Sequence, residues 1–262
     1  MPLPPAGLAA SAIVLSVCHV AAQADTVAEG NKLLTDLIAA QKDMAQMTAD
    51  YVQHRTTKLF KKPLRSEGKL AFRREPGCVV FVVTSPRPSV VRLDVKTYEV
   101  WHPDSKRLER FVLPSEEMPR LLFDSLAPTQ ARMDKGFAVE SCTAVEGAAT
   151  RRLLTLVPTD AKTKRVASKI TLTLDIEGPK LCGFGYQDPR GDDVRIELSN
   201  LTHAPRAVPE SFELDLPPDA TITEHVVPAP AAEKADDAAR PPAARDDGND
   251  KKGGADTGRR KG

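Results

Sequence analysis

From Lys169 onward the chain alternates with a period of two: Ile170, Leu172, Leu174 and Ile176 are apolar, and Lys169, Thr171, Thr173 and Asp175 between them are polar. Val194, Ile196 and Leu198 alternate in the same way with Arg195, Glu197 and Ser199. Successive side chains of a strand point to opposite faces, so each segment is a strand with one dry and one wet face, the pattern of antiparallel sheets. The same period predicts strands over 49–57, 69–74, 78–85, 89–94, 97–102, 107–112, 137–141, 150–157, 169–176, 181–187 and 194–202, with a last segment around 212–216. About eleven strands in mostly hairpin order are too many for a flat sheet, and such a sheet curls.

Two stretches have helical spacing instead. Thr26 and Glu29 form a capping-box pair, after which Val27, Leu34, Leu37, Ile38 and Ala45 recur on one face. A shorter helix is expected from Ser115, with Glu116 and Glu117 at its positive end and Met118, Leu121 and Leu122 on one side. Pro119 falls early enough to be tolerated. The predicted fold is mainly β (α+β): an incomplete, curled antiparallel barrel whose dry concave face is covered by helices. Periodicity alone does not distinguish a cavity under such a lid from a filled core.

The ends of the 262-residue chain read differently from its middle. An apolar run from Leu8 to Val20, then Ala22-Gln23-Ala24, reads as an export signal over residues 1–24, although no Lys or Arg precedes Leu8. Cys18 is an alternative lipid-attachment site, with the bulky Val17 before it instead of a small residue. Residues 228–262 are rich in Ala, Pro, Asp and Gly, lack aromatics, and are expected to be a disordered tail. One domain is therefore expected over 25–227, exported to the periplasm and monomeric. Cys78, Cys142 and Cys182 are expected as buried thiols, with a single disulfide left open. A formal net charge of +1 gives no long-range pull towards nucleic acid.

Several local sequences, in order, resemble the LolA family of periplasmic lipoprotein carriers over roughly residues 30–222. Asp50-Tyr51-Val52-Gln53 is similar to the family's opening strand, and Gly68-Lys69-Leu70-Ala71-Phe72-Arg73-Arg74-Glu75-Pro76-Gly77 to its Gly-x-apolar strand ending in Arg-Pro. Phe81-Val82-Val83-Thr84-Ser85-Pro86 resembles the strand running into Ser-Pro, and Asp94-Val95-Lys96-Thr97 with Trp101-His102-Pro103 the Asp-Gly-Lys-Thr turn and its aromatic strand. Asp188-Pro189-Arg190-Gly191 and Phe212-Glu213-Leu214-Asp215-Leu216-Pro217 match a hairpin and the closing segment. The chain departs from the pattern at Val95, where the family has Gly, and at Val80-Phe81, where many members have Arg-Trp.

The resemblance implies a cavity that takes the acyl chains of lipoproteins or lipids. Its partners would be an inner-membrane ABC exporter and an outer-membrane LolB-like acceptor. On this reading the lipid-binding residues are Leu70, Phe72, Val79, Phe81, Val83, Trp101, Leu121, Leu122, Ile170, Leu172, Leu174, Val194, Ile196 and Leu198. The family's Arg before Pro holds the lid shut. Strand parity sets Arg74 with Leu70 and Phe72 on the inner side and Arg73 with Lys69 and Ala71 on the other, so Arg74 is the expected lid latch. No nucleophile elbow, zinc helix or phosphate loop is present, and His54, His102, His203 and His225 lack ligand spacing. The chain is expected to be a binding protein without cofactor, not an enzyme. A lipid sensor or lipid-exporter accessory on the same half-barrel is the alternative, and an interaction module with a filled core the third.

Overall fold

The computed structural model describes residues 11–206 and 212–227, with side chains described from Thr26 onward. The first ten residues, the side chain of Cys18 and the tail from 228 lie outside what is described, so the expectations placed on them stand as they were. Twelve strands form one sheet: β1 (Gln46–Thr56), β2 (Leu64–Arg73), β3 (Cys78–Ser85), β4 (Ser89–Asp94), β5 (Thr97–His102), β6 (Arg107–Val112), β7 (Phe137–Val145), β8 (Ala148–Pro158), β9 (Lys169–Asp175), β10 (Lys180–Gln187), β11 (Asp193–Ala204) and β12 (Thr221–Val226). Among the described residues four α-helices accompany them: α1 (Ser11–Ala40), α2 (Glu117–Leu126), α3 (Gln130–Gly136) and α4 (Ala161–Lys164), with a 3-10 turn at Pro103–Ser105.

The strand order is β12-β6-β5-β4-β3-β2-β1-β11-β10-β9-β8-β7. It consists of two antiparallel meanders, β1 to β6 and β7 to β11, joined where β1 pairs with β11. The ends of the sheet do not pair with each other, which gives the incomplete barrel expected from the strand patterns. Near opposite edges lie β6 and β7, so the 113–136 connection between them must cross the sheet. That connection contains α2 and α3, whose Leu121, Leu126 and Met133 are buried in the main core. The lid is thus the link between the meanders. Over the second meander α1 packs against β7 and β10, burying Leu33, Leu34 and Leu37.

Pairing fixes which residues share the inner face. Tyr51 stands opposite Leu198 and Gly68, Gln53 opposite Ile196 and Ser66, and Arg55 opposite Val194. Phe184 faces Ile196 and Leu172, continuing the row across β10 and β9. At Gly68 a Cβ would collide with the Val82 carbonyl, so the β2 bulge beside Glu67 needs glycine.

Several expectations need correction. No strand covers 212–216; this segment crosses the outer face as a strap. Phe212 packs there on Cys78 and Val80, its carbonyl accepts from Arg92 Nε at 3.0 Å, and the Arg73 guanidinium lies 4.9 Å from its ring centroid. Asp219 meets Lys106 Nζ at 2.5 Å further along. The strap leads into β12, which pairs parallel to β6 and was not expected. Thr26 does not cap a helix, because α1 runs through it from Ser11, with no Gly or Pro between Ser11 and Thr26. Glu116, not Ser115, occupies the cap position of α2, without a side-chain cap bond. Cys78, Cys142 and Cys182 are all free thiols, the first two buried and Cys182 half-buried.

Candidate functional site

Between α2 and the inner face of both meanders lies a cavity of about 390 Å³. This falls within the roughly 300–1,000 Å³ of sites that take small molecules. From the sheet it is lined by Tyr51, Gln53, Arg55, Ser66, Phe81, Val83, Val91, Leu93, Tyr98, Tyr186, Val194 and Ile196. Leu113, Met118, Leu121 and Leu122 complete it from the lid side. Tyr51 and Phe81 meet edge to face at 5.1 Å between centroids, forming its floor.

The lining is predominantly apolar, and Arg55 is its only charged residue. That side chain is 53% exposed and reaches Asp192 only at 4.0 Å. Burial pushes the Tyr51 phenol up to about 12, partly opposed by its hydrogen bond with Ser66. Burial likewise raises Tyr98 and Tyr186, against the pull of Arg55. All three phenols are neutral at physiological pH, so the cavity presents hydroxyl donors and one cation to an otherwise oily interior. It contains no carboxylate, His or Cys, and therefore no nucleophile–base pair. Among the described residues no group of three or more His, Cys, Asp or Glu could hold a metal ion.

The expected lipid-binding residues separate into three places. Phe81, Val83, Leu121, Leu122, Val194 and Ile196 line the cavity. Leu70, Phe72, Val79, Ile170, Leu172, Leu174 and Leu198 share the inner face but are packed into the core and do not line it. Near α3 the space around Ile170 and Leu172 is reduced to a void of about 10 Å³. Trp101 is on the other side of the sheet. It pairs with Val90 and Leu108, while Tyr98 and Val100 take the inner positions of β5. Both faces of β5 contain buried or half-buried residues, Trp101 and Glu99 on the outer one, so an apolar residue there did not identify the cavity side. The cavity's polar rim, Gln53, Arg55 and Ser66, was missed. Counting by twos from Tyr51 would have found Gln53 and Arg55.

Arg74 lies at the exit of β2, beside the exit of α1. Its Nη2 donates to the Gln41 carbonyl at 2.9 Å and its Nη1 to the Lys42 carbonyl at 3.3 Å, both just beyond α1. Gln41 is fully buried, and its Nε2 donates to the Leu126 carbonyl at the end of α2 at 3.3 Å. One chain of bonds therefore joins β2, α1 and α2. Burial lowers the affinity of Arg74 for its proton, and Glu75 partly restores it. Gln41 Oε1 and Arg74 Nε, both buried, have no hydrogen-bond partner.

The open half-barrel, the helices that cross it and the apolar cavity beneath them define the class of fold. The model of the outer membrane lipoprotein carrier protein LolA matches residues 42–215, and the chain belongs to the LolA family. Among curated proteins none matches the chain in sequence. Similar solved structures include a conserved protein from Thermus thermophilus, at 8% identity and TM-score 0.44, covering 75% of this chain and 99% of that one. A LolA superfamily protein from Nitrosomonas europaea has 9% identity and TM-score 0.37, covering 72% and 98%. The Pseudomonas aeruginosa MucA/MucB complex has 12% identity and TM-score 0.38, covering 71% and 61%. No helix among the described residues is long and apolar enough to cross a membrane.

Proposed function

We propose that this chain is a periplasmic carrier that sequesters the acyl chains of lipoproteins or lipids and moves them from the inner to the outer membrane. It would accept cargo from an ABC exporter and pass it to a LolB-like acceptor. The observation that supports this reading is the oily cavity beneath α2, a helix whose end is tied to β2 through the hydrogen bonds of Gln41 and Arg74. Burying a 16-carbon chain contributes on the order of 12 kcal/mol, at ~0.8 kcal/mol per methylene. Binding that strong would trap the cargo unless the empty, closed state opposed it. Arg74 supplies that opposition, and the orphaned Gln41 Oε1 and Arg74 Nε keep the closed state from being fully satisfied.

The test is native mass spectrometry of the mature protein purified from a host with two membranes, followed by transfer of a labelled lipoprotein to acceptor. The expected result is a bound lipid mass and acceptor-dependent release. An empty protein under gentle conditions overturns the lipid-binding reading. Bound lipid without transfer overturns shuttling and favours a sensor on the same fold.

A further inference from the structure

The turn joining β1 to β2 has the sequence Lys58-Leu59-Phe60-Lys61-Lys62-Pro63. Leu59 is 88% exposed, Phe60 54% and Leu64, the first residue of β2, 47%. Single exposed apolar residues need no explanation. Here three of the eight exposed large hydrophobics among the described residues fall within six positions. The turn is also held in place: Leu59 N donates to Thr57 Oγ1 at 3.2 Å, Phe60 N to the Thr57 carbonyl at 3.4 Å, and Lys58 N to Asp192 Oδ1 at 3.4 Å. Thr57 itself is buried. An anchored turn thus presents two large apolar side chains to solvent.

Charge selects the partner. Lys58, Lys61, Lys62 and Arg65 interleave with the apolar residues, and only Arg65 has a carboxylate partner, Glu67, among the described residues. Apolar tips surrounded by long cationic side chains match the boundary of an anionic bilayer. Leu and Phe enter the acyl region there, while ammonium groups stay at the phosphate level. We infer that the 57–64 turn is a docking tip for an anionic lipid surface. The strands that carry the tip also carry Gln53, Arg55 and Ser66, so docking would turn the cavity's polar end towards the bilayer. The inference stands apart from the carrier reading, since it concerns the outside of the molecule and not the cavity.

The test uses the full chain in sedimentation with vesicles of equal phosphatidylcholine and phosphatidylglycerol, against phosphatidylcholine alone. The parent is expected to bind the acidic vesicles preferentially. Leu59→Ser with Phe60→Ser, and separately Lys61→Glu with Lys62→Glu, should each weaken binding by at least about tenfold. Lys164→Glu with Lys180→Glu, the same charge change at exposed positions elsewhere, should leave most of it. Equal loss in this control overturns the inference in favour of bulk charge. Absence of vesicle binding by the parent overturns it too and leaves a protein partner for the tip. A Trp101→Phe, Phe60→Trp chain should be quenched by brominated acyl chains, and unquenched emission would exclude insertion. Lipid bound inside the cavity should be the same in the Leu59/Phe60 variant as in the parent, so either reading can fail alone.

Discussion

Arg74 Nη2 lies 2.9 Å from the carbonyl oxygen of Gln41, a contact that ties the exit of β2 to the exit of α1. A charge-assisted hydrogen bond of this kind contributes about 1.5–3 kcal/mol. Arg74→Leu should therefore loosen the lid and lower the thermal midpoint. It should also raise affinity for a fluorescent fatty acid by on the order of tenfold and slow release to acceptor. Unchanged release kinetics in this variant would remove Arg74 from the latch role.

The inner face contains both space and packing, which two substitutions separate. Ile196→Phe fills part of the cavity and should block uptake of acyl chains while costing at most about 1–3 kcal/mol of stability. Leu172→Ala removes volume from the filled half, where Leu172 is 1% exposed, and should cost about 2–5 kcal/mol while sparing ligand affinity. Chemical denaturation and a ligand titration on the same two variants check both halves of the expectation.

On the outer face of the sheet, Glu99 of β5 is buried and meets Arg92 at 2.9 Å and Arg110 at 2.7 Å. Among the described residues, removing this shared carboxylate leaves Arg92 with Asp94 at 3.0 Å but Arg110 with only Glu224 at 3.9 Å, a half-buried charge that has lost its close partner. Glu99→Ala should destabilise the fold by about 3 kcal/mol, whereas Glu99→Gln should keep part of that. A denaturation series reads the difference, and equal stability of all three proteins would show the network to be neutral.

Asp94 gives a pH dependence of known sign. Burial pushes its carboxyl up, but the Lys96 and Thr97 amides, the Thr97 hydroxyl and Arg92 outweigh this and hold it below the usual range. With the folded value depressed, the ionised group stabilises the fold above the ordinary Asp range near 4, and that contribution is lost as pH falls through the folded value. Asp94→Asn should melt below the parent at pH 7, and the two curves should converge on acidification. A gap independent of pH would assign the effect to packing.

Much of the sheet was legible because turn chemistry and alternation agree. The bounds expected for β3, β4, β5 and β6 are those observed, since Gly77, Pro86 and Asp94 set their ends. Hidden from the pattern was β12, because its residues are all exposed; it is held by backbone pairing with β6 and by the stacking of His225 on Phe111 at 4.8 Å. The alternation of Phe212, Leu214 and Leu216 imitated a strand, yet only Phe212 is fully buried. Parity distinguished Arg74 from Arg73, since the two side chains leave the chain in opposite directions. It did not separate Ile196 from Leu172. Both obey the same alternation, and which of them faces empty space depends on where α3 comes down.

Because α2 and α3 are spliced between β6 and β7, the cover of the cavity is tethered at both ends. Such a flap cannot swing away on one hinge like a door. It rises only if the two halves of the sheet splay or the tether slackens, so the width of the mouth and the angle between the halves form a single mechanical coordinate. A disulfide clamping the meanders together would be expected to stop ligand exchange without touching a residue that lines the chamber.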